Sequence, residues 1–143
     1  MSRLQVPLSS TVLWYTGELA LRAYLDLLLR DAAGNWHKET FRVDSGTDVT
    51  SLSAAKAKAL GLPMPQQGMT VPVTTTTGMA PVVVRPGFLR LRVVGMDPVE
   101  HVIPCHFLGD PDAPPPPGTV AATFPRSVQR FLRRQCPCHL QPL

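Results

Sequence analysis

Residues 41–50, with the sequence FRVDSGTDVT, combine the end of an apolar strand with an acidic turn and a β-branched restart. Phe41 and Val43 alternate with polar residues, which is the period expected of a strand with one buried face. The pentapeptide DSGTD at 44–48 consists of residues that favour turns. The residues at 49–52 favour a second, short strand. The stretch therefore predicts two strands joined by a loop that carries two carboxylates.

A β-hairpin is predicted immediately before this loop. Apolar residues at every second position of 21–29 indicate a half-buried strand. The turn-forming sequence RDAAGN follows at 30–35, and residues 36–43 return as the second strand. The acidic loop therefore begins where a paired strand is expected to end.

A short helix is predicted after the motif. Residues 54–60 are rich in alanine, which favours helix. Ser53 is suited to cap the start of this helix, and Gly61 is suited to end it. A helix of this length is not stable alone, so we expect it to pack against the strands.

A second hairpin is predicted over residues 71–84, with Gly78 near its tip. Valine and threonine dominate this segment and favour extended chain. Pro72 and Pro81 cannot donate to a ladder, which predicts an exposed or edge position for the hairpin. Two further strands are predicted over residues 88–94 and 99–108.

The character of the chain changes after residue 110. Residues 111–118 (PDAPPPPG) indicate a polyproline linker or a rigid loop. Strand alternation stops beyond it, and residues 125–135 match one short amphipathic helix. We therefore predict that the C-terminal tail lies outside the core. The predicted organisation is an N-terminal arm (1–19), one domain (20–110), a Pro-rich linker (111–118) and a basic tail (119–143).

Composition limits the class of protein. The chain has 143 residues, 44% of them apolar and 17% charged, which fits one globular domain and argues against wholesale disorder. No apolar run approaches the roughly 20 residues of a membrane span, and the N-terminus lacks a sustained apolar signal segment. No membrane partner is therefore expected. Cys136 and Cys138 are nearly adjacent, so the three cysteines do not suggest a disulfide framework, which favours a reducing cytoplasm.

The net charge of +4 comes from the tail. Residues 119–143 carry four arginines and no acidic residue, whereas residues 1–118 carry ten basic and ten acidic side chains. A nucleic-acid-binding domain is expected to show a basic face, so no nucleic-acid partner is predicted. Cys136, Cys138 and His139 are too closely spaced for a typical zinc site, and no metal is predicted.

The motif resembles the active-site loop of aspartic peptidases, and especially that of the single-domain, homodimeric retropepsin-like family. That family's pattern is apolar–Asp–Thr/Ser–Gly–Ala/Ser/Thr–Asp, which residues 43–48 match. The preceding hairpin, the following helix and the Gly78 hairpin, in the place of the family's flap, agree with it. The resemblance covers roughly residues 20–109. It implies a mainly β fold, the retropepsin-like acid-protease barrel that forms half of a pepsin-type fold, with one short helix after the active-site loop.

The resemblance also implies an activity, which is hydrolysis of peptide bonds by an aspartic endopeptidase. One carboxylate cannot both activate a water and protonate a leaving amine, and this chain has one such motif. The active site would then need a homodimer with Asp44 from each copy at the two-fold axis. The implied substrate is an extended peptide or protein, and no cofactor is implied.

The site residues implied by the resemblance fall into three groups. Ser45 would brace the two loops across the dimer, and Gly46 would let the backbone approach the carboxylates. Asp48 would bind the substrate backbone or brace its own loop. The full set is Asp44 as the catalytic residue, Ser45, Gly46 and Thr47 in the active-site loop, and Asp48, Thr77, Gly78 and Met79 as substrate-binding residues.

The sequence departs from one part of the family pattern. A second signature, two apolar residues and a glycine followed by a helix, is matched only in its first part by residues 107–110 (FLGD). Pro111 and the prolines at 114–117 exclude a helix directly after it. Two alternatives therefore stay open. One is an inactive retropepsin-like module for dimerisation or peptide binding. The other is a small β-barrel of unknown binding role in which Asp44 is a turn residue.

Overall fold

The structure is a computed structural model that describes residues 3–6, 8–12, 16–44, 49–75, 78–96, 98–113, 122–125 and 139–142. These residues form a mainly β fold with one short helix, which confirms the predicted fold class. The elements are β1 (Arg3–Val6), β2 (Leu8–Val12), β3 (Leu19–Arg30), β4 (Trp36–Asp44), β5 (Thr50–Ser53), α1 (Ala54–Ala59), β6 (Met69–Thr75), β7 (Gly78–Val93), β8 (His101–Leu108), β9 (Ala122–Pro125) and β10 (His139–Pro142).

The hairpin predicted before the motif is present as β3 and β4. Its antiparallel register runs from Arg30 opposite Trp36 to Ala23 opposite Val43. The turn between the strands is held by Asp31, whose carboxylate accepts hydrogen bonds from the backbone N–H groups of Ala33 and Asn35 at 2.9 and 2.8 Å. Local turn chemistry therefore sets the register of the two strands.

Eight strands form one sheet in the order β2-β3-β4-β9-β5-β8-β7-β6. An additional antiparallel pairing joins β3 to β7, with Leu27 opposite Val93 and Leu29 opposite Leu91. These pairings link six strands, from β3 through β4, β9, β5 and β8 to β7, into a ring, with β2 and β6 attached outside it. The ring encloses the core. Its fully buried apolar side chains are Leu27, Leu29, Phe41, Leu52, Ala54, Ala57, Leu91, Ile103, Cys105 and Phe107.

The predicted short helix is confirmed as α1. Ser53 caps it, because its hydroxyl oxygen accepts a hydrogen bond from the Lys56 backbone N–H at 3.4 Å. Gly61 follows with a φ of 68°, the left-handed conformation that ends helices and favours glycine. Ala54 and Ala57 face the core, so the helix is held by packing, as its length requires.

The predicted hairpin around Gly78 is also present. Strands β6 and β7 pair from Met69 opposite Val84 to Thr75 opposite Gly78, and β6 is an edge of the described sheet. Pro72 lies directly opposite Pro81. At both positions the described sheet has a neighbouring strand on one side only. A proline, which has no backbone N–H to donate, is tolerated where the other side of the strand is unpaired.

Strand β7 is longer than predicted. The sequence predicts two separate strands, at 79–84 and 88–94, whereas the structure has one ladder that passes through Pro86 and Gly87. Pro86 pairs only with β8 among the described strands, so its missing N–H removes no hydrogen bond from a second neighbour. A Cβ atom on Gly87 would lie 2.9 Å from Cε2 of Phe107, so this position needs glycine inside the strand.

The prediction that residues 119–143 lie outside the core is wrong for β9. This strand lies between β4 and β5, parallel to β4 and antiparallel to β5. A four-residue strand is too short to show alternation, and its place depends on partners far away in the sequence. At the C-terminus, β10 pairs in parallel with β1. The predicted helix begins at Pro125, which instead ends β9, and residues 126–135 lie outside the described residues.

Candidate active site at the end of strand β4

Asp44 is the last residue of β4, and it lies opposite Pro125 of β9. The motif joins β4 to β5, which are not neighbours, because β9 lies between them. The strand ends joined by the DSGTD sequence therefore stand two strand spacings apart, or about 10 Å. Strands β4, β9 and β5 therefore lie side by side near Asp44.

Buried side chains flank the motif on both sides. Phe41, three residues before Asp44, is fully buried, and so is Thr50 at the start of β5. Packed neighbours hold a backbone position more firmly than loop residues do, which suits a residue that must meet a reaction geometry. The scaffold around Asp44 is thus part of the core.

Thr50 is a residue near the motif that sequence reasoning missed. Its hydroxyl oxygen is buried and forms no hydrogen bond to a described residue, and Thr50 pairs with Cys105 of β8. A buried hydroxyl without a partner is costly, so such a group calls for an explanation. The signal available in the sequence was a polar residue inside a segment predicted to be a buried strand.

The predicted substrate-binding residues are only partly described. Gly78 opens β7 opposite Thr75, and the Met79 side chain next to it is 69% exposed. Ser45, Gly46, Thr47, Asp48 and Thr77 lie outside the described residues, as does the side chain of Asp44. The roles given to all of these residues therefore stay predictions.

The apolar–apolar–Gly sequence at residues 107–109 does not lie beside Asp44. Phe107 and Leu108 end β8, where Leu108 pairs with Ser53 of β5. Strand β8 lies on the far side of β5 from β4, and the strand next to β4 on that side is β9. The segment beside the motif therefore comes from beyond the Pro-rich stretch.

Cys105 does not have the character of a nucleophile. It is fully buried, and burial raises the pKa of its thiol to about 12. A thiol with this pKa stays protonated near neutral pH, whereas nucleophilic cysteines act as thiolates. Cys105 is thus a packing residue of the core.

A concavity lies at the opposite end of the β3/β4 hairpin. It is an open groove of about 790 Å³, lined by the turn at 30–34, the segment 62–65 after α1, and residues 87–90 of β7. Trp36, beside this turn, and Asp44 are eight residue steps apart on one extended strand, a span of about 26 Å. The groove is therefore separate from the end of β4.

The described residues contain no group of three or more His, Cys, Asp or Glu side chains arranged to hold a metal ion. None of their helices has the length and apolar character needed to cross a membrane.

Comparison with known proteins finds solved structures of similar shape. No family model matches the sequence, and no curated protein matches it. The fold is similar to the crystal structure of a retropepsin-like aspartic protease from Rickettsia conorii, with 18% identity over 76% of this chain and 70% of that chain, and a TM-score of 0.47. The likeness is one of backbone shape and identifies no residue of the site.

Proposed function

We propose that this protein is a retropepsin-like aspartic endopeptidase that hydrolyses peptide bonds as a homodimer, with Asp44 of each copy in one shared active site. The observation that carries the proposal is the position of the DSGTD motif. It begins at the end of β4, beside β9, between the fully buried Phe41 and Thr50. The strands on either side of the motif are therefore anchored in the core, which supports a fixed position for the carboxylate.

The chemistry requires two carboxylates. Two carboxylates held close together share one proton, because both cannot be ionised side by side. The ionised Asp44 takes a proton from water while the water oxygen bonds to the peptide carbonyl carbon. The protonated Asp44 then gives its proton to the leaving nitrogen as the carbon–nitrogen bond breaks. The second carboxylate comes from a second copy of the chain.

The proposed substrate is a peptide in extended conformation. It would lie between the body of the domain and the β6/β7 hairpin, and add as a strand through backbone hydrogen bonds. Gly78 and Met79 at the hairpin would contact it from one side, and Asp48 from the other. Backbone pairing of this kind does not depend on substrate side chains, so pockets near the motif would set the specificity.

The test is the substitution Asp44→Asn in the full-length chain. An amide neither accepts the proton of water nor completes the shared-proton pair, so we expect cleavage of a mixed library of unstructured peptides to disappear. Asp110→Asn is the matched control, because it makes the same change at an exposed loop carboxylate. Circular dichroism and the thermal midpoint check that both variants are folded.

Each result decides between the candidates. Cleavage that survives in Asp44→Asn overturns the catalytic assignment. A wild-type protein that binds extended peptides but cleaves none supports the alternative of an inactive peptide-binding module. The departure of the 107–110 segment from the family pattern is the observation that favours this alternative.

A further inference from the structure

The apolar face of β3 continues beyond the core. Leu25, Leu27 and Leu29 are buried, with Leu25 only 4% exposed. Leu19 and Leu21 lie on the same face, because side chains two residues apart on a strand point the same way. Yet these two leucines are 73% and 68% exposed. Three leucines of this stripe therefore belong to the core, and two are exposed.

Strand β2 widens this exposed stripe. Val12 pairs with Leu19, and Leu8 pairs with Ala23, so their side chains lie on the same face as the leucines of β3. Val12 is 60% exposed and Leu8 is 42% exposed. Scattered apolar residues on a surface are ordinary, but neighbouring ones on the antiparallel hairpin of β2 and β3 form a patch that indicates an interaction site. We call this patch the hairpin face; it consists of Leu8, Val12, Leu19 and Leu21.

The hairpin face lies at the same end of the sheet as the motif. The ladder between β3 and β4 ends with Ala23 opposite Val43, one residue before Asp44. Leu21 and Leu19 therefore run past the end of β4, where the motif begins. Leu21 is two residues beyond Ala23, about 7 Å further along the strand.

We infer that the hairpin face is the apolar centre of the contact between two copies of this chain. The inference rests on the proposed function, since it is the catalytic pair that requires a second Asp44 nearby. A partner whose Asp44 meets this one also comes close to a patch that runs past the same strand end. In a two-fold contact the same patch is offered by both copies, so apolar surface meets apolar surface.

Charge supports a second copy as the occupant. Strand β2 has the sequence LSSTV and contains no charged residue. Arg22, the charged residue between Leu21 and Ala23, points to the opposite face by strand alternation. Two copies of the hairpin face therefore meet without bringing like charges together, whereas an acidic or basic partner would find no complement here.

The geometry also indicates how the copies meet. Pairing of the two β2 edges would put five strand spacings, about 24 Å, between one β4 and the β4 of the partner. Two carboxylates that far apart cannot share a proton. The contact therefore involves the faces of the hairpins rather than their edges.

The test uses Leu19→Asp/Leu21→Asp in the full-length chain, with Val102→Asp as the matched control. Val102 is a 52% exposed apolar residue on β8, away from the hairpin face. Sedimentation velocity over a dilution series gives the dimer dissociation constant. We expect it to rise at least about 100-fold in the double variant, because buried charge is costly, and to stay unchanged in Val102→Asp. Leu19→Thr/Leu21→Thr keeps the strand propensity and should weaken the dimer about 10-fold.

The outcomes separate this inference from the proposed function. A folded threonine or aspartate double variant that dimerises like wild type overturns the inference, as does a wild-type chain that stays monomeric at all concentrations. Asp44-dependent cleavage by a protein whose double variants still dimerise leaves the proposed function standing, whereas a monomeric wild-type chain counts against the homodimeric peptidase as well. The converse result is a wild-type protein that dimerises but cleaves no peptide, and whose double variants are monomeric. It would support the hairpin face as the dimer contact and count against the peptidase.

Discussion

Asp44, the last residue of β4, lies opposite Pro125, the last residue of β9, in a parallel pair of strands. Strand β9 is separated from the next preceding strand, β8, by the Pro-rich segment. The end of β4 is therefore completed by a part of the chain distant in sequence. Changes far along the chain should affect the region where the motif begins.

Truncation of the chain after Gly118 should destabilise the domain. It removes β9, which forms three residue pairs with β4 and two with β5, and leaves each of these strands with a neighbour on one side only. At about 0.5–1.5 kcal/mol for each hydrogen bond lost, we expect a decrease of roughly 2–5 kcal/mol in the free energy of unfolding. Urea denaturation of the purified proteins measures it.

A second truncation, after Pro125, serves as the control for that experiment. It keeps β9 but removes β10, which pairs with β1 in a separate two-stranded sheet. The longer fragment should retain more of the wild-type stability than the fragment that ends at Gly118. Equal urea midpoints for the Gly118 fragment and the full-length chain would show that β9 contributes nothing to the sheet.

Gly87→Ala should destabilise the core through overpacking. The added Cβ atom would lie 2.9 Å from Cε2 of Phe107 and 3.0 Å from Cδ of Pro65. Phe107 is fully buried, so its ring has little freedom to move away. We expect a loss of about 1–3 kcal/mol in the free energy of unfolding, measured by thermal or urea denaturation.

A double-mutant cycle with Phe107→Leu identifies the cause. Leucine removes the ring edge that the new methyl group meets, so Gly87→Ala should cost less in the Phe107→Leu background than in wild type. Equal costs in the two backgrounds would mean that the loss does not come from the contact with Phe107, and would leave Pro65 as the contact responsible.

Asp31→Asn should reveal a pH-dependent contribution to stability at the β3/β4 turn. The hydrogen bond with His37, at 2.7 Å, and the backbone N–H of Asn35 lower the pKa of Asp31 from 3.8 to about 2. A carboxyl group with a lower pKa in the folded state stabilises the fold above its unfolded pKa. That contribution is lost as pH falls through the folded value.

The measurement is the thermal midpoint of wild type and Asp31→Asn between pH 5 and pH 2. The advantage of wild type should be full at pH 5 and shrink as the pH falls from about 4 towards 2. Asp26→Asn, at a β3 carboxylate that accepts a hydrogen bond from Thr40, controls for a general effect of removing one negative charge. A difference between wild type and Asp31→Asn that does not change over this pH range would contradict the assignment.

Local features of the sequence were sufficient to predict the first hairpin and the helix. Alternating leucines set the buried face of β3, Asp31 sets the turn, and Ser53 caps α1, all through neighbours within a few residues. These interactions are visible in a short window of sequence. The fold class follows from them, because strands with one apolar face require a sheet to bury it.

Distant pairings could not be predicted in the same way. Nothing near Thr123 indicates that it lies opposite Arg42 on one side and Ser51 on the other. Gly87 has the local signature of a strand break, and the close approach of Phe107 and Pro65, both distant in sequence, explains why glycine lies within β7. The catalytic role proposed for Asp44 depends on a second copy of the chain, and the contacts between two copies cannot be worked out from local sequence patterns.

The outer half of the β6/β7 hairpin should be the fastest-exchanging paired part of the described sheet. Residues 78–83 of β7 pair only with β6, whereas Leu27 and Leu29 of β3 lie between β4 and β7. A two-stranded ribbon opens more readily than a strand with two neighbours. Hydrogen exchange followed by mass spectrometry should show rapid labelling of peptides from 69–83 and slow labelling of peptides from 25–30.

An extended peptide inhibitor should slow exchange in the β6/β7 hairpin and leave the exchange of the β3 peptides unchanged, because the inhibitor would add backbone hydrogen-bond partners only at the hairpin. Equal protection of the two segments in the free protein would contradict a hairpin that opens to admit substrate.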